Sequence, residues 1–316
     1  MNNFFDNQRI LDLIWRRKFH FIVVGVIAIV LAAIFSSPTF ITPKYKSTAR
    51  IYPTNNVAVF SEESETEQLL EVINSSDIKL RMFDAFNLDQ VYGISKETPQ
   101  YYTYMFDTYN TNVNISKTKF ETVQIEVLDI DPVRASAMCD SLIRFYNEKV
   151  SQMHSLKHLE IVDLTDKYIN FKSKDLDSVS NQLQQLRNET GIISVSQLER
   201  ITEGYMTALA ENKGGTSDTK TIKQQLDYLK DYGNEILVLE NKFNKYNQII
   251  DSLKTVKEVQ LLEAGKDITY SHVVEYPMPA DKKSYPVRWL IVAFSMVSAV
   301  FLALLVFLIL DYRKNY

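Results

Sequence analysis

The sequence predicts an α+β protein with two terminal transmembrane helices, a membrane-proximal α/β base domain and a long extracytoplasmic helical hairpin. Three observations support this fold class. An apolar run lies near each end of the chain, and short alternating segments typical of β-strands follow the first run and precede the second. Between them, residues 133–190 contain neither proline nor glycine and carry heptad-like apolar spacing, which predicts one long helix.

The two apolar runs are each long enough to cross a membrane, since about 20 apolar residues span a bilayer. Residues 19–35 contain only His20 as a strongly polar residue, and Phe40 and Ile41 extend the predicted first span to 19–41. Residues 289–310 carry no charge and form the second predicted span. A cleaved signal peptide remains the alternative for the first run. A retained anchor is favoured because the preceding segment is long and no clear Ala-x-Ala site follows.

Basic residues predict the orientation of both spans. Arg16, Arg17 and Lys18 directly precede the first span, and Arg313 and Lys314 follow the second. Because short cytoplasmic segments are enriched in Lys and Arg, we expect residues 1–18 and 311–316 to lie in the cytoplasm and the bulk of the chain to lie on the other side.

Residues 42–131 are predicted to form the first part of the base domain. Residues 45–52 are strand-like, 65–86 have a helical pattern with a break at 74–77, and 111–130 alternate as a β-hairpin does. Asp131 is a predicted N-cap, and Pro132 is suited to the first helical position because it lacks an N–H. A β-prone stretch at 268–275 predicts that 265–288 returns to complete this domain.

Residues 132–264 are predicted to form the helical hairpin. A helix ending at Gly191, a shorter helix over 197–212 and a flexible turn at 214–217 precede a returning helix over 219–263. The apolar positions predicted to face each other are Ile161, Leu164, Tyr168 and Phe171, then after one offset Leu176, Val179, Leu183 and Leu186, and on the returning helix Ile236, Leu239, Phe243, Tyr246, Ile250 and Leu253.

No enzyme site, metal site or cofactor site is predicted. The formal net charge of -4 argues against a nucleic-acid partner. No phosphate-binding loop motif occurs, and Cys139 is the only cysteine. His154 and His158 are interpreted as an exposed helical pair rather than as metal ligands, because no third ligand lies near them in the sequence. Asp129 and Asp131 lack a defined cleft, so we do not interpret them as an acid/base pair.

Two clusters are candidates for contacts outside catalysis. Tyr101, Tyr102, Tyr104 and Tyr109 are either core residues of an amphipathic helix or a surface on which sugar rings stack. The second cluster contains Pro277, Pro279 and Pro286, which predict a stiff, extended connector ahead of Arg288 and Trp289 at the membrane interface.

Several segments together resemble the polysaccharide co-polymerases, the Wzz-type chain-length determinants of bacterial O-antigen, capsule and exopolysaccharide assembly. They are ILDLIWRRKFHFIVVG, PKYKSTARIYP, DIDPVRASAMCDSLIRFYNEKV and VVEYPMPADKKSYPVRWLI, in that order between and around the two apolar runs. The resemblance covers essentially the whole chain. Pro277, Pro279 and Pro286 stand where the family has its proline-rich segment.

The resemblance implies a non-catalytic protein of the inner membrane with its bulk in the periplasm. It also implies that the protein forms homo-oligomers in the lipid bilayer and acts with a polymerase or export machinery on a nascent glycan. Some family members continue into a cytoplasmic kinase, which we do not expect in the six residues after the second span. Two rival hypotheses remain: a periplasmic adaptor that links an inner-membrane polysaccharide exporter to an outer-membrane channel, and a sensor domain between two spans.

Overall fold

The computed structural model describes residues 7–54, 64–211 and 217–314. The chain forms two compact units, the sheet unit (Met1–Val150 and Thr269–Tyr316) and the hairpin unit (Ser151–Ile268). The helices described are α1 (Asn7–Arg16), α2 (Lys18–Phe35), α3 (Glu65–Ile73), α4 (Ser76–Phe86), α5 (Leu88–Tyr92), α6 (Tyr101–Asn112), α7 (Pro132–Thr190), α8 (Leu198–Ala210), α9 (Ser217–Ala264) and α10 (Arg288–Lys314). The strands are β1 (Lys44–Pro53), β2 (Val113–Lys117), β3 (Val123–Asp129), β4 (Ser271–Glu275) and β5 (Lys283–Tyr285).

A small antiparallel sheet organises the sheet unit. Its strand order is β2-β3-β1-β4, and β5 also pairs with β1. Strand β1 alternates in burial, with Ser47, Ala49 and Ile51 facing inward. The predicted strand, the predicted hairpin and the return of the later β-prone segment to the first strand are all confirmed. Strand β5 was not predicted, because three residues near several prolines carry too little pattern.

Helices α3 to α6 and the first part of α7 cover one face of the sheet. The predicted helix over 65–86 is present as α3 and α4, with the break where it was expected. Ser64 begins α3 with a capping box, in which its hydroxyl accepts the Glu67 N–H at 3.3 Å and Glu67 Oε2 accepts the Ser64 N–H at 3.2 Å. The fully buried side chains of this core include Ile51, Leu69, Ile73, Met82, Met105, Met138, Leu142 and Tyr146.

Helix α7 begins and ends where the sequence predicts. Asp131 Oδ1 accepts the Val133 N–H at 2.9 Å, so Asp131 is the N-cap before Pro132. The helix runs for 59 residues. Gly191 follows it with φ +70°, a left-handed conformation that favours glycine and ends the helix.

The two terminal apolar runs form helices α2 and α10. Helix α2 ends at Phe35, so the predicted span 19–41 is longer than the helix by six residues. Pro38 explains the early end, because the residue directly before a proline is disfavoured in the helical conformation and helices usually end at or before it. Helix α10 begins one residue before the predicted span at 289. Helix α1, in the predicted amino-terminal tail, was not expected.

The hairpin unit consists of the rest of α7, α8 and α9. Three contacts show that α7 and α9 run antiparallel: His158 with Gln260, Asp166 with Lys257 and Arg187 with Glu240. A cluster of buried apolar residues lies between the helices and consists of Val179, Leu183, Ile192, Leu229, Ile236 and Leu239. The predicted helical hairpin is therefore confirmed, whereas the turn predicted at 214–217 lies largely outside the described residues.

The outgoing half of the predicted hairpin seam is wrong between residues 161 and 171. Leu164, Tyr168 and Phe171 are exposed, while Thr165 is buried. Counting back from Val179 by sevens reaches Lys172 and Thr165, so the true seam passes through polar residues here. The apolar residues between 161 and 171 therefore form a stripe beside the seam rather than the seam itself. The two stripes meet at residue 176, where the apolar spacing in the sequence is offset.

Candidate functional site

The terminal helices α2 and α10 pack against each other. The Phe21 and Phe307 rings meet edge to face with centroids 5.3 Å apart. Further along, a Cβ on Gly25 would lie 3.8 Å from Val300 Cγ2, so the two helices are in contact there. Phe21 pairs with a late residue of α10 and Gly25 with an earlier one, which makes the pair antiparallel. This arrangement places the amino end of α2 and the carboxyl end of α10 together.

Most apolar side chains of α2 and α10 point away from the protein. Val23, Val30, Phe294, Val297 and Phe301 are all exposed. Both helices are long and apolar enough to cross a membrane, with mean hydropathies of 2.5 and 2.8 over their candidate spans. Such a continuous apolar surface is typical of contact with lipid rather than with water. The two helices are therefore candidate membrane spans.

The basic residues predicted to set the topology lie at the junction of α1 and α2. The guanidinium carbon of Arg17 lies 5.0 Å from the centre of the Phe307 ring, so Arg17 contacts α10. Lys18 Nζ lies 4.8 Å from the centre of the Trp15 ring. Arg16 is exposed beside them. All three belong to the same end of the helix pair.

The proline-rich segment packs against the sheet unit rather than forming a free, extended connector. Pro277 is buried, and its carbonyl oxygen accepts from the Ser136 hydroxyl at 3.4 Å. The Met278 carbonyl accepts from the Ser47 hydroxyl at 3.0 Å. Prolines lack an N–H but keep their carbonyl acceptors, so hydroxyls of α7 and β1 hold this segment. Strand β5 then pairs with β1 directly before α10.

Within this segment the three prolines have different environments. Pro286 is buried and follows a cis peptide bond, whereas Pro279 is exposed. Arg288 starts α10 half-buried, and Trp289 is exposed beside it. The segment therefore links the sheet to the first turn of α10 through only two residues, 286 and 287.

The aromatic helix α6 divides the predicted tyrosine cluster in two. Tyr109 is buried, with its ring 5.5 Å from that of Phe83, and Tyr101 is half-buried. Burial raises the pKa of the Tyr109 hydroxyl. Tyr102 and Tyr104 are 61% and 49% exposed. The core explanation therefore holds for Tyr109, and only Tyr102 and Tyr104 remain available to a ligand.

A cleft in the hairpin unit was not visible in the sequence. It has a volume of about 550 Å³ and lies between α7 and α9. Arg187 Nη2 donates to Glu240 Oε1 at 3.2 Å in its wall, and Phe243 lies beside them. Its residues are far apart in the sequence and conform to no motif, so only the packing of the two helices brings them together.

The remaining polar candidates have structural roles. Both carboxylate oxygens of Asp129 accept from Arg134, at 2.5 and 3.0 Å, so this acidic residue is held by a salt bridge. Cys139 is buried, and burial raises the pKa of its thiol to about 12. His154 is buried rather than exposed, which corrects the interpretation of the histidine pair. The described residues contain no group of three side chains suited to hold a metal ion.

These features define a class of protein: an α+β chain with paired terminal apolar helices, a small antiparallel sheet and a helical hairpin. Residues 3–86 match the family model described as "Wzz: Chain length determinant protein". This match confirms the family resemblance in the segment that contains the first candidate span, β1, α3 and α4. The amino-terminal part of the chain is thus similar to a Wzz chain length determinant domain.

Solved structures with a similar arrangement come from proteins of related description. A "full-length bacterial polysaccharide co-polymerase" is 13% identical, with 97% of each chain covered and a TM-score of 0.43. A point mutant of the Shigella flexneri lipopolysaccharide O-antigen chain-length regulator WzzBSF is 12% identical over 76% of this chain and 100% of that one, with a TM-score of 0.32. Similarity at this level does not extend the family match beyond residues 3–86.

One curated relative belongs to a different class. A stretch of 137 residues is 27% identical to "Probable starch synthase 4, chloroplastic/amyloplastic" of Arabidopsis thaliana. The match covers 40% of this chain, but the chain spans only 12% of the length of that relative. The activity named for the plant protein is therefore not carried over to this chain.

Proposed function

We propose that this chain is a non-catalytic regulator of polysaccharide chain length, acting on O-antigen, capsule or exopolysaccharide. The observation that carries the proposal is the match of residues 3–86 to the chain length determinant model. The paired apolar helices α2 and α10 support it, because a regulator of surface polysaccharide assembly has to stand at the membrane where the glycan is made.

The proposed topology places the bulk of the chain in the periplasm and both termini in the cytoplasm. Residues 1–18 and 311–316 are cytoplasmic, 19–41 and 289–310 contain the spans, and 42–131, 132–264 and 265–288 form the base and the hairpin. The positive-inside rule supports this orientation through Arg16, Arg17 and Lys18. A reporter that is active only in the cytoplasm, fused after Tyr316, tests it. Activity of an export-dependent reporter at that position would contradict it.

The proposed partners are further copies of this chain, a separate polymerase or exporter, and the nascent glycan. Tyr102 and Tyr104 support direct glycan contact, because exposed aromatic rings can stack on sugar rings. Replacing both with alanine should shift the modal glycan length while Y109A, in the core, lowers protein abundance instead. If the glycan ladder of Y102A/Y104A is unchanged, these exposed tyrosines have no role in glycan contact.

Deletion of the gene tests the main proposal. The modal length of the surface glycan on a gel ladder should change, while its sugar composition stays the same. Re-expression of the chain should restore the original ladder. An unchanged ladder together with unchanged capsule would contradict chain-length regulation.

The second candidate function is a periplasmic adaptor between an inner-membrane exporter and an outer-membrane channel. The antiparallel pairing of α7 and α9 in a long hairpin favours it, because such hairpins provide reach. A photo-crosslinker at Met206 or Leu209, both exposed on α8, distinguishes the two functions. Capture of an outer-membrane protein supports the adaptor, and capture of another copy of the chain supports the co-polymerase.

A further inference from the structure

We propose that α1 is an interfacial helix that binds anionic phospholipid headgroups on the cytoplasmic surface of the membrane. Its apolar face of Leu11, Ile14 and Trp15 would enter the headgroup region, and Arg16 and Lys18 would contact the phosphates. This inference rests on the proposed membrane insertion of α2 and α10.

Among the side chains described on α1, only Leu13 is buried in the protein, while the other apolar ones are exposed. Leu13 is buried, and α1 contacts both α2 and α10. Leu11, Ile14 and Trp15 follow helical spacing on another face and are 66%, 36% and 75% exposed. A helix held to the spans on one side and apolar on another has the surface expected of a helix lying in the bilayer interface.

The connection to α2 fixes the depth at which α1 meets the membrane. Only Arg17 separates the two helices. The Arg17 N–H donates to the Leu13 carbonyl and the His20 N–H to the Arg17 carbonyl, both at 2.9 Å, so no flexible linker intervenes. The uncharged run of α2 begins immediately afterwards, at Phe19. Helix α1 therefore lies next to the boundary between hydrocarbon and headgroups.

Charge indicates which lipid the helix would prefer. Residues 7–18 contain four basic side chains and one acidic side chain, Asp12. Arg17 packs on Phe307 of α10, while Arg16 and Lys18 are exposed beside Trp15. Anionic lipids attract basic groups at the membrane surface by about 1 kcal/mol for each Lys or Arg. An anionic lipid can thus contact both the apolar and the basic side chains of this surface.

Trp15 provides a direct probe of this proposal in the full-length protein. The chain contains two tryptophans, so W289F leaves Trp15 as the only one. The variant is reconstituted in vesicles with brominated phosphatidylcholine or brominated phosphatidylglycerol at equal mole fraction. Trp15 fluorescence should be quenched by both lipids, more strongly by phosphatidylglycerol, and should be protected from acrylamide in the aqueous phase.

Charge variants test the choice of lipid. In the W289F background, R16Q/K18Q should lower the preference for phosphatidylglycerol, by up to about fivefold for each charge removed. The control R200Q/K223Q makes the same charge change at exposed positions of α8 and α9 and should leave the preference unchanged. Equal quenching by the two lipids in the parent variant would overturn the proposed anionic specificity.

Two further outcomes would overturn the proposal in different ways. Free quenching of Trp15 by acrylamide would show that α1 stands in water, and quenching by a spin-labelled second copy in place of lipid would show that copies pack through this face. The complementary variant W15F leaves Trp289, which reports insertion of the second span. Absence of lipid quenching there would contradict the membrane insertion itself, so failure of the two proposals can be told apart.

Discussion

The core of the sheet unit and the seam of the hairpin unit are built on different principles, although α7 contributes to both. In the sheet unit, Leu142 and Tyr146 are fully buried among strands and helices. In the hairpin unit, the same helix places Thr165 at the seam while Leu164 is 64% exposed. The sheet unit is specified by close packing, whereas the hairpin unit combines a short apolar cluster with polar contacts between two helices.

The largest expected effect is the difference in stability between two leucine-to-alanine substitutions on α7. L142A should lower the free energy of unfolding of the sheet unit by about 2–5 kcal/mol, because it leaves a cavity in a closely packed core. L164A, at an exposed position, should change the stability by less than about 0.5 kcal/mol. Thermal unfolding in detergent, followed by circular dichroism, checks both. Equal losses in the two variants would contradict the contrast between the units.

The next largest effect is the difference in stability between breaking a buried ion pair and breaking an exposed one. R134Q removes the partner of the buried carboxylate Asp129 and should cost about 1–3 kcal/mol. K257Q breaks the pair with Asp166, in which both side chains are exposed by a third or more, and should cost at most about 1 kcal/mol. Chemical unfolding of both variants in one detergent provides the measurement. A larger loss in K257Q would show that the hairpin depends on its ion pairs.

A substitution at the polar part of the hairpin seam should stabilise it. Lys172 lies at the heptad position between Thr165 and Val179, and its ammonium group lies 5.3 Å from the centre of the Tyr246 ring. K172L should slow hydrogen exchange in α7 and α9, corresponding to a gain of about 1 kcal/mol, because an apolar residue suits this position better. K174L, on the exposed side of α7, is the control and should give no gain. Faster exchange in K172L would show that the seam is stabilised by the cation–aromatic contact or by the salt bridge of Lys172 with Asp175, at 2.9 Å.

The smallest expected effect is a dependence of the hairpin unit on pH. Burial lowers the pKa of His154, and His158 and Lys157 lower it further. The folded protein therefore favours the neutral ring. The stability contributed by this preference is complete above the unfolded pKa of about 6.5 and is lost as the pH falls through the folded value. Hydrogen exchange around residue 154 should accelerate on acidification, and H154Q should remove this dependence while H272Q, at an exposed position of β4, retains it.

Local signals in the sequence were sufficient for most of the elements. Asp131 and Pro132 start α7 and Gly191 ends it, because capping and backbone conformation depend on only a few neighbouring residues. The alternation of β3 reflects burial on one face of the sheet, so it was visible without any knowledge of its partners. The two apolar runs also predicted the ends of α2 and α10 to within a few residues, except at the carboxyl end of α2.

Features that depend on distant contacts could not be predicted in this way. Lys172 and Thr165 occupy the seam although they are polar, because the register is fixed by the apolar cluster further along the hairpin. The carbonyls of Pro277 and Met278 accept from the hydroxyls of Ser136 and Ser47, which are remote in the sequence. The division of the tyrosines on α6 and the cleft beside Arg187 likewise follow from packing between elements.

The pairings of β1 also have a consequence for the order of events during synthesis. Its partners β4 and β5 are made more than 200 residues after it. At a synthesis rate of about 5–20 residues per second, one edge of β1 remains unpaired for roughly 10–50 seconds until β4 and β5 have been made. During that time its backbone N–H and C=O groups present an open edge to other chains. A nascent chain arrested before residue 271 should therefore aggregate or recruit a chaperone, whereas release after residue 285 allows the sheet to close.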